Sequence, residues 1–148
     1  MTTSNPTDEW RQERFQTGLN LLHDGQFWEA HESWEELWHS YPNASSARHA
    51  TQALIQLAAI CYKPTQAAAG RTTKGMQRGM KRLLATARDH IQAARDLPPP
   101  CVDWNLRHLA TTLQDMEKIR SHWVAGQKLP IILKDTLQVA QRFDPRKD

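Results

Sequence analysis

Apolar residues recur along this chain with a helical period, and no stretch sustains the alternation of a strand. Trp10, Phe15, Leu19 and Leu22 fall on one helical face, with Gly18 and Leu21 beside it. Thr7 can cap that helix, Asp8 and Glu9 suit its first turn, and Gly25 suits a left-handed C-cap. A second helix is predicted over about 26–40, stopping near Pro42. Ser45 or Ser46 opens a third, lined by Ala50, Ala53, Leu54, Leu57, Ala58 and Cys61, which Pro64 is expected to end or kink. Gly70 marks a break before a long fourth helix running to about Asp96. Pro98, Pro99 and Pro100 make residues 97–103 a stiff, extended connector. Asp103 is the expected cap of a fifth helix, about 104–125, closed by Gly126, and Ile131 to Phe143 form a short sixth after Pro130. Residues 1–7 are a polar lead, disordered up to the Thr7 cap, and residues 144–148 a fraying tail. The reading is all-α: one helical domain over 1–148, a compact bundle of about five to six helices.

Composition narrows this further. The chain of 148 residues is long enough to bury a core without staples. No run of 18 apolar residues offers a membrane span, and Met1 to Trp10 hold no apolar signal region. Cys61 and Cys101 have neither metal-type spacing nor the number for a disulfide framework, so a reducing, cytoplasmic setting is expected. The net charge of +3 hides a division. Eight acids and three bases precede Ala50, whereas residues 50–95 hold eight bases and one acid, Asp89. Either these segments neutralise each other, or the basic one meets a polyanion or an acidic partner.

Tryptophan supplies 6 of the aromatic residues, against 3 Phe and 2 Tyr, and Trp28, Trp34 and Trp38 share the second helix. On a helical wheel Phe27, Ala30, His31, Trp34, Leu37 and Trp38 form one face. Glu35 and Trp28 stand on its shoulder, and Glu29, Glu32 and Glu36 lie opposite. His31 is thus expected amid an aromatic wall, with Glu35 one turn on and in reach of its ring. Such a His is either a satisfied core residue or half of a His–carboxylate pair at the floor of a cleft. His31-Glu32-x-x-Glu35 also resembles the zinc-protease pattern, with Glu35 in place of the second His and Glu32 as base. A third ligand, His49 or His108, would come from elsewhere. Glu36-x-x-His39 matches half of a di-iron motif that the chain does not complete.

The stretch from Phe15 to Trp38, with Gly18, Leu21, Gly25, Phe27, Glu29-Ala30-His31-Glu32, Glu35 and Leu37-Trp38, resembles domain-of-unknown-function family number 309. Gln52 to Ala59, running on to Tyr62, is similar to that family's second motif. Gly79 to Leu84 is similar to its third, although Met80 replaces a small residue. The resemblance covers roughly residues 8–95 and implies small, all-helical, mostly prokaryotic proteins without an established activity. By motif match it marks Glu29, His31, Glu32, Glu35 and Gln56 as a candidate site. Gln56 also interrupts an apolar run, so its amide needs a partner: it either pins two helices or walls a cleft floored by His31.

The fourth helix carries Arg71, Lys74, Arg78, Lys81, Arg82 and Arg88 on one face and Met76, Met80, Leu83, Leu84, Ala87 and Ile91 on the other. Gly75 and Gly79 invite a close helix neighbour. The basic face is solvated, docks on the acidic second helix, or takes a partner. Nucleic acid is disfavoured, since no aromatic residues interleave with the bases and no helix-turn-helix precedes them. An echo of the tetratricopeptide repeat at Gly18 to Ala30 does not return 34 residues on. The expected function is therefore a small-ligand or partner-binding cleft built on His31 and Glu35, with Trp28, Trp38, Tyr62, Glu29 and Gln56 around it. A metal-dependent or acid/base hydrolase-like enzyme using His31, Glu32 and Glu35, and an interaction module using the basic helix 71–95, are the alternatives. A protein partner or a second copy of the chain is one candidate occupant of the basic helix and nucleic acid the less favoured one, and any cofactor is left open by the sequence.

Overall fold

A computed structural model describes residues 7–68 and 73–120, so Gly70, Arg71, Gly126, the sixth helix and both chain ends lie outside the described residues. The described residues form five helices and no strand: α1 (Asp8–His23), α2 (Phe27–His39), α3 (Ser46–Ala68), α4 (Thr73–Asp96) and α5 (Leu106–Ile119). Together they make an all-α compact bundle.

Local chemistry accounts for most boundaries. The Thr7 hydroxyl accepts from the Trp10 N–H at 3.0 Å, which caps α1. Gly25 has φ +82°, its N–H donates to the Leu22 carbonyl, and the Gln26 N–H donates to Leu21, which together form a Schellman close. The Ser45 hydroxyl accepts from the Arg48 N–H at 3.2 Å and caps α3. One expectation is corrected and another narrowed. The cap of α5 is Asn105, whose side chain accepts from Arg107 and His108, and not Asp103. Nor does α3 stop at Pro64: it continues to Ala68 with Pro64 inside it. The ring removes the N–H that would reach the Ile60 carbonyl and crowds that carbonyl, and it is buried against the bundle.

Successive helices run antiparallel. Arg11 meets Ser40 and Arg14 meets Glu36 across α1 and α2. Trp28 meets Tyr62 and Trp38 meets Arg48 across α2 and α3. His49 meets His90 across α3 and α4, the most extensive helix pair. The core follows these seams: Leu19, Leu22, Trp34, Leu37, Leu54, Leu57, Ile60, Met80, Leu84, Leu109, Leu113 and Met116 are fully buried. Each such side chain stabilises the fold by about 2 kcal/mol through apolar burial.

The proline segment does more than connect. The Pro98 and Pro100 carbonyls accept from the Ser46 and Ala47 N–H groups at 2.9 and 2.8 Å, satisfying donors that the start of α3 leaves open. The Ser46 hydroxyl donates to the Ala94 carbonyl. Past the prolines, Trp104 stacks on Phe15 with centroids 5.4 Å apart and an interplanar angle of 9°. Residues 97–105 thus tie α4 and α5 back onto α1 and α3.

Candidate functional site

The register of α2 against its neighbours decides what its face can do. Its buried residues are Phe27, Ala30, Ser33, Trp34 and Leu37. Their arc is turned by roughly 40° from the expected aromatic face, toward Ser33. The cause is that α2 lies between α1 and α3, and small Ser33 lets α1 close in, its hydroxyl donating to the Arg14 carbonyl at 3.1 Å. Trp34 turns the same way: its indole N–H donates to the Phe15 carbonyl at 3.2 Å and the ring lies on Gly18. The aromatic wall expected around His31 is therefore divided among three places. Trp34 belongs to the α1 interface. Trp38 lies under the Arg48 guanidinium, 3.9 Å from its ring centre, and meets His39 edge-on. Trp28, 48% exposed, stacks on His31 at 4.8 Å with an interplanar angle of 6°.

His31 consequently sits at the rim of the core, its side chain 17% exposed. Glu35 Oε1 lies 2.8 Å from its Nδ1, as the one-turn spacing predicts. That oxygen is out of line with the ring N–H, so the contact is close without being an aligned hydrogen bond. Tyr62 approaches from α3, tilted against Trp28 at 5.6 Å. Trp28, His31, Glu35 and Tyr62 therefore form one cluster with an accessible outer surface. Glu29 and Glu32 are exposed, and Glu32 lies about 100° round the helix from His31, away from the ring it would serve as base. Glu36 pairs with Arg14 at 3.1 Å.

Gln56 stands elsewhere on α3. It falls midway between His49 and Lys63, which face His90 and Gly79 of α4, whereas Arg48 and Tyr62 face α2. Its Oε1 is buried with no hydrogen-bond partner among the described residues. Neither His49 nor His108 joins His31 in a metal site. Among the described residues, no three His, Cys, Asp or Glu side chains stand together as metal ligands.

The described basic residues of α4, Lys74, Arg78, Lys81, Arg82 and Arg88, are all exposed. Among the described residues no ion pair links them to the acids of α2. The two charged helices are separated by α3, so among the described residues the basic face of α4 does not dock on the acids of α2. Gly79 does serve a close approach, because the Lys63 side chain runs over it.

Two features escaped the sequence because they join residues far apart in the chain. His49 and His90 bring their Nδ1 atoms to 2.9 Å, one donating and one accepting. Burial first, and then the neighbouring His49, hold the His90 ring below its usual pKa against the opposite pull of Asp89. The second is a cavity of about 180 Å³ between α1, the end of α2 and the proline segment. Phe15, Leu37 and Trp104 supply its apolar lining, and Arg11, Tyr41 and Asp103 its polar one. Burial pushes the Tyr41 phenol up to about 12, so it stays neutral. Cys101 opens onto this cavity, whereas Cys61 is buried and its thiol is pushed upward by desolvation.

The family model described as Domain of unknown function (DUF309) matches residues 15–82. No curated protein and no solved structure matches the chain. The matched stretch contains the Trp28–His31–Glu35–Tyr62 cluster entire, together with Gln56 and the first half of the basic helix.

Proposed function

Residues 15–82 of this chain belong to the DUF309 family, a domain of unknown function, and from that premise we propose a cytoplasmic binding domain, whose site is the Trp28–His31–Glu35 cluster. The observation that carries this reading is the parallel stack of a half-exposed Trp28 on His31, with Glu35 at 2.8 Å from the ring. An exposed indole is costly to leave in water, and one held flat against an imidazole offers a rigid platform for a flat or apolar ligand. Glu35 stands against the buried Nδ1, so a ligand would meet the ring at Nε2. Tyr62 completes the wall. The same pair could move a proton, with His31 as acid or base and Glu35 orienting it. Binding is the better supported reading, because Glu32 does not converge on His31. Two free cysteines and the absence, among the described residues, of a helix long and apolar enough to cross a membrane suit the compartment proposed.

The test is a thermal-shift screen of small aromatic compounds. Hits should raise the melting temperature of the unaltered chain and of Glu32→Ala, and fail with Trp28→Ala and His31→Ala, both of which stay folded. Unfolding of His31→Ala would instead make His31 a core residue.

A second reading rests on α4, whose described basic side chains are exposed and unpaired with α2. It makes α4 a docking face for an acidic protein or a second copy of the chain. Lys81→Glu with Arg82→Glu should then abolish any concentration-dependent mass or co-purifying partner, and a mass unaltered at all concentrations would remove the self-association arm.

A further inference from the structure

We propose that the cavity between α1, the end of α2 and residues 97–105 binds a small organic cation: one flat apolar body carrying an ammonium group. Its size sets the first limit. A cavity of about 150 Å³ accepts a benzene molecule, and this one measures about 180 Å³, room for one ring and a short polar arm. Phe15 and Trp104, stacked at 5.4 Å, and Leu37 give the ring an apolar bed.

The charges decide the polar arm. Arg11 is already committed: its Nε donates to the Ser40 hydroxyl at 3.1 Å and its Nη2 to the Ser40 carbonyl at 2.7 Å. Its guanidinium also lies 4.6 Å over the Tyr41 ring, with Asp8 3.8 Å away. An anionic ligand would have to compete for that cation. Asp103 is the less satisfied group, accepting a long bond of 3.4 Å from the Gln12 amide. Tyr41 adds an O–H and no charge. With Asp8 and Asp103 against Arg11, the lining is formally negative by one. A cation over an apolar bed, close to the Asp103 carboxylate, meets both requirements at once. This site shares no residue with the Trp28–His31 cluster, so either proposal can fail alone.

The full chain can be tested with three probes of one shape: 2-phenylethylammonium, 2-phenylethanol and phenylacetate. Saturation-transfer NMR reads binding directly. Alkylation of Cys101 at neutral pH reads it locally, because buried Cys61 stays unreacted and serves as an internal reference. The expected result is strongest transfer to the ammonium probe, at least about threefold slower Cys101 alkylation with it, a weaker effect of the alcohol and none of the carboxylate. Asp103→Asn should erase the preference of ammonium over alcohol while leaving the melt unchanged, since Asn105, not Asp103, caps α5. Asp8→Asn, altered at an exposed position, should reduce the same preference and supplies the answer if Asp103→Asn loosens the segment. No transfer to any probe, equal binding of all three, or a preference for phenylacetate would each overturn the proposal.

Discussion

Gly18 has no side chain because the indole of Trp34 occupies the place where a Cβ would be. Gly18→Ala must push Trp34 out of a fully buried seat and break its bond to the Phe15 carbonyl. The expected loss is about 3 kcal/mol, read as a lower urea midpoint. Ala44 is the opposite case: it is exposed, holds φ 59°, and pays for a left-handed backbone without a packing reason. Ala44→Gly should raise stability by about 1 kcal/mol in the same measurement. A destabilised Gly variant would mean that the turn needs the Ala methyl. Gly18 stood out in the sequence as a motif residue, but its reason did not. Which aromatic ring fills a glycine notch depends on how two helices are rotated, and that is a tertiary quantity.

Helix ends were the most legible elements. Thr7, Gly25 and Ser45 act as their residue types dictate, because a cap is satisfied within three or four residues of itself. The misplaced start of α5 has the same physics with a different winner. Asp103 and Asn105 are both good caps, and the stacking of Trp104 on Phe15 fixes the chain direction so that Asn105 enters the helix. Asn105→Ala should therefore cost about 1 kcal/mol, whereas Asp103→Ala should leave thermal stability within about 0.5 kcal/mol. Equal losses from both would contradict the assignment. For α2 the sequence placed His31 and Glu35 within reach of each other correctly, since that spacing is internal to the helix. It placed Trp34 and Trp38 beside them wrongly, since a wheel shows which residues share a face but not how neighbours divide it.

Across the molecule, α3 and α4 are joined near one end by His49 and His90. The folded pKa of His90 is lowered, so the unfolded chain binds a proton more readily. Stability from this group is therefore fully present above the unfolded value, about 6.5, and is lost as pH falls below it toward the folded value. A second proton would also place two cations face to face across the 2.9 Å contact. The urea midpoint should decline from pH 7.5 to pH 5, and His90→Gln should flatten that decline. An unchanged slope would show that other groups control it. The acidic face of α2 and the described basic face of α4 lie on either side of α3 and keep their opposite charges on the surface.

The sequence by itself determined the helical class, the helix order, most caps, the His31–Glu35 spacing and the family match over residues 15–82. All of these rest on contacts within a few residues or on motif identity. Only the tertiary structure decided which face of α2 is buried, that Trp28 and not Trp34 accompanies His31, and that His49 finds His90. It alone revealed the cavity that Trp104 closes against Phe15. Those outcomes depend on helix rotation and on segments some ninety residues apart, and a local pattern carries no record of either.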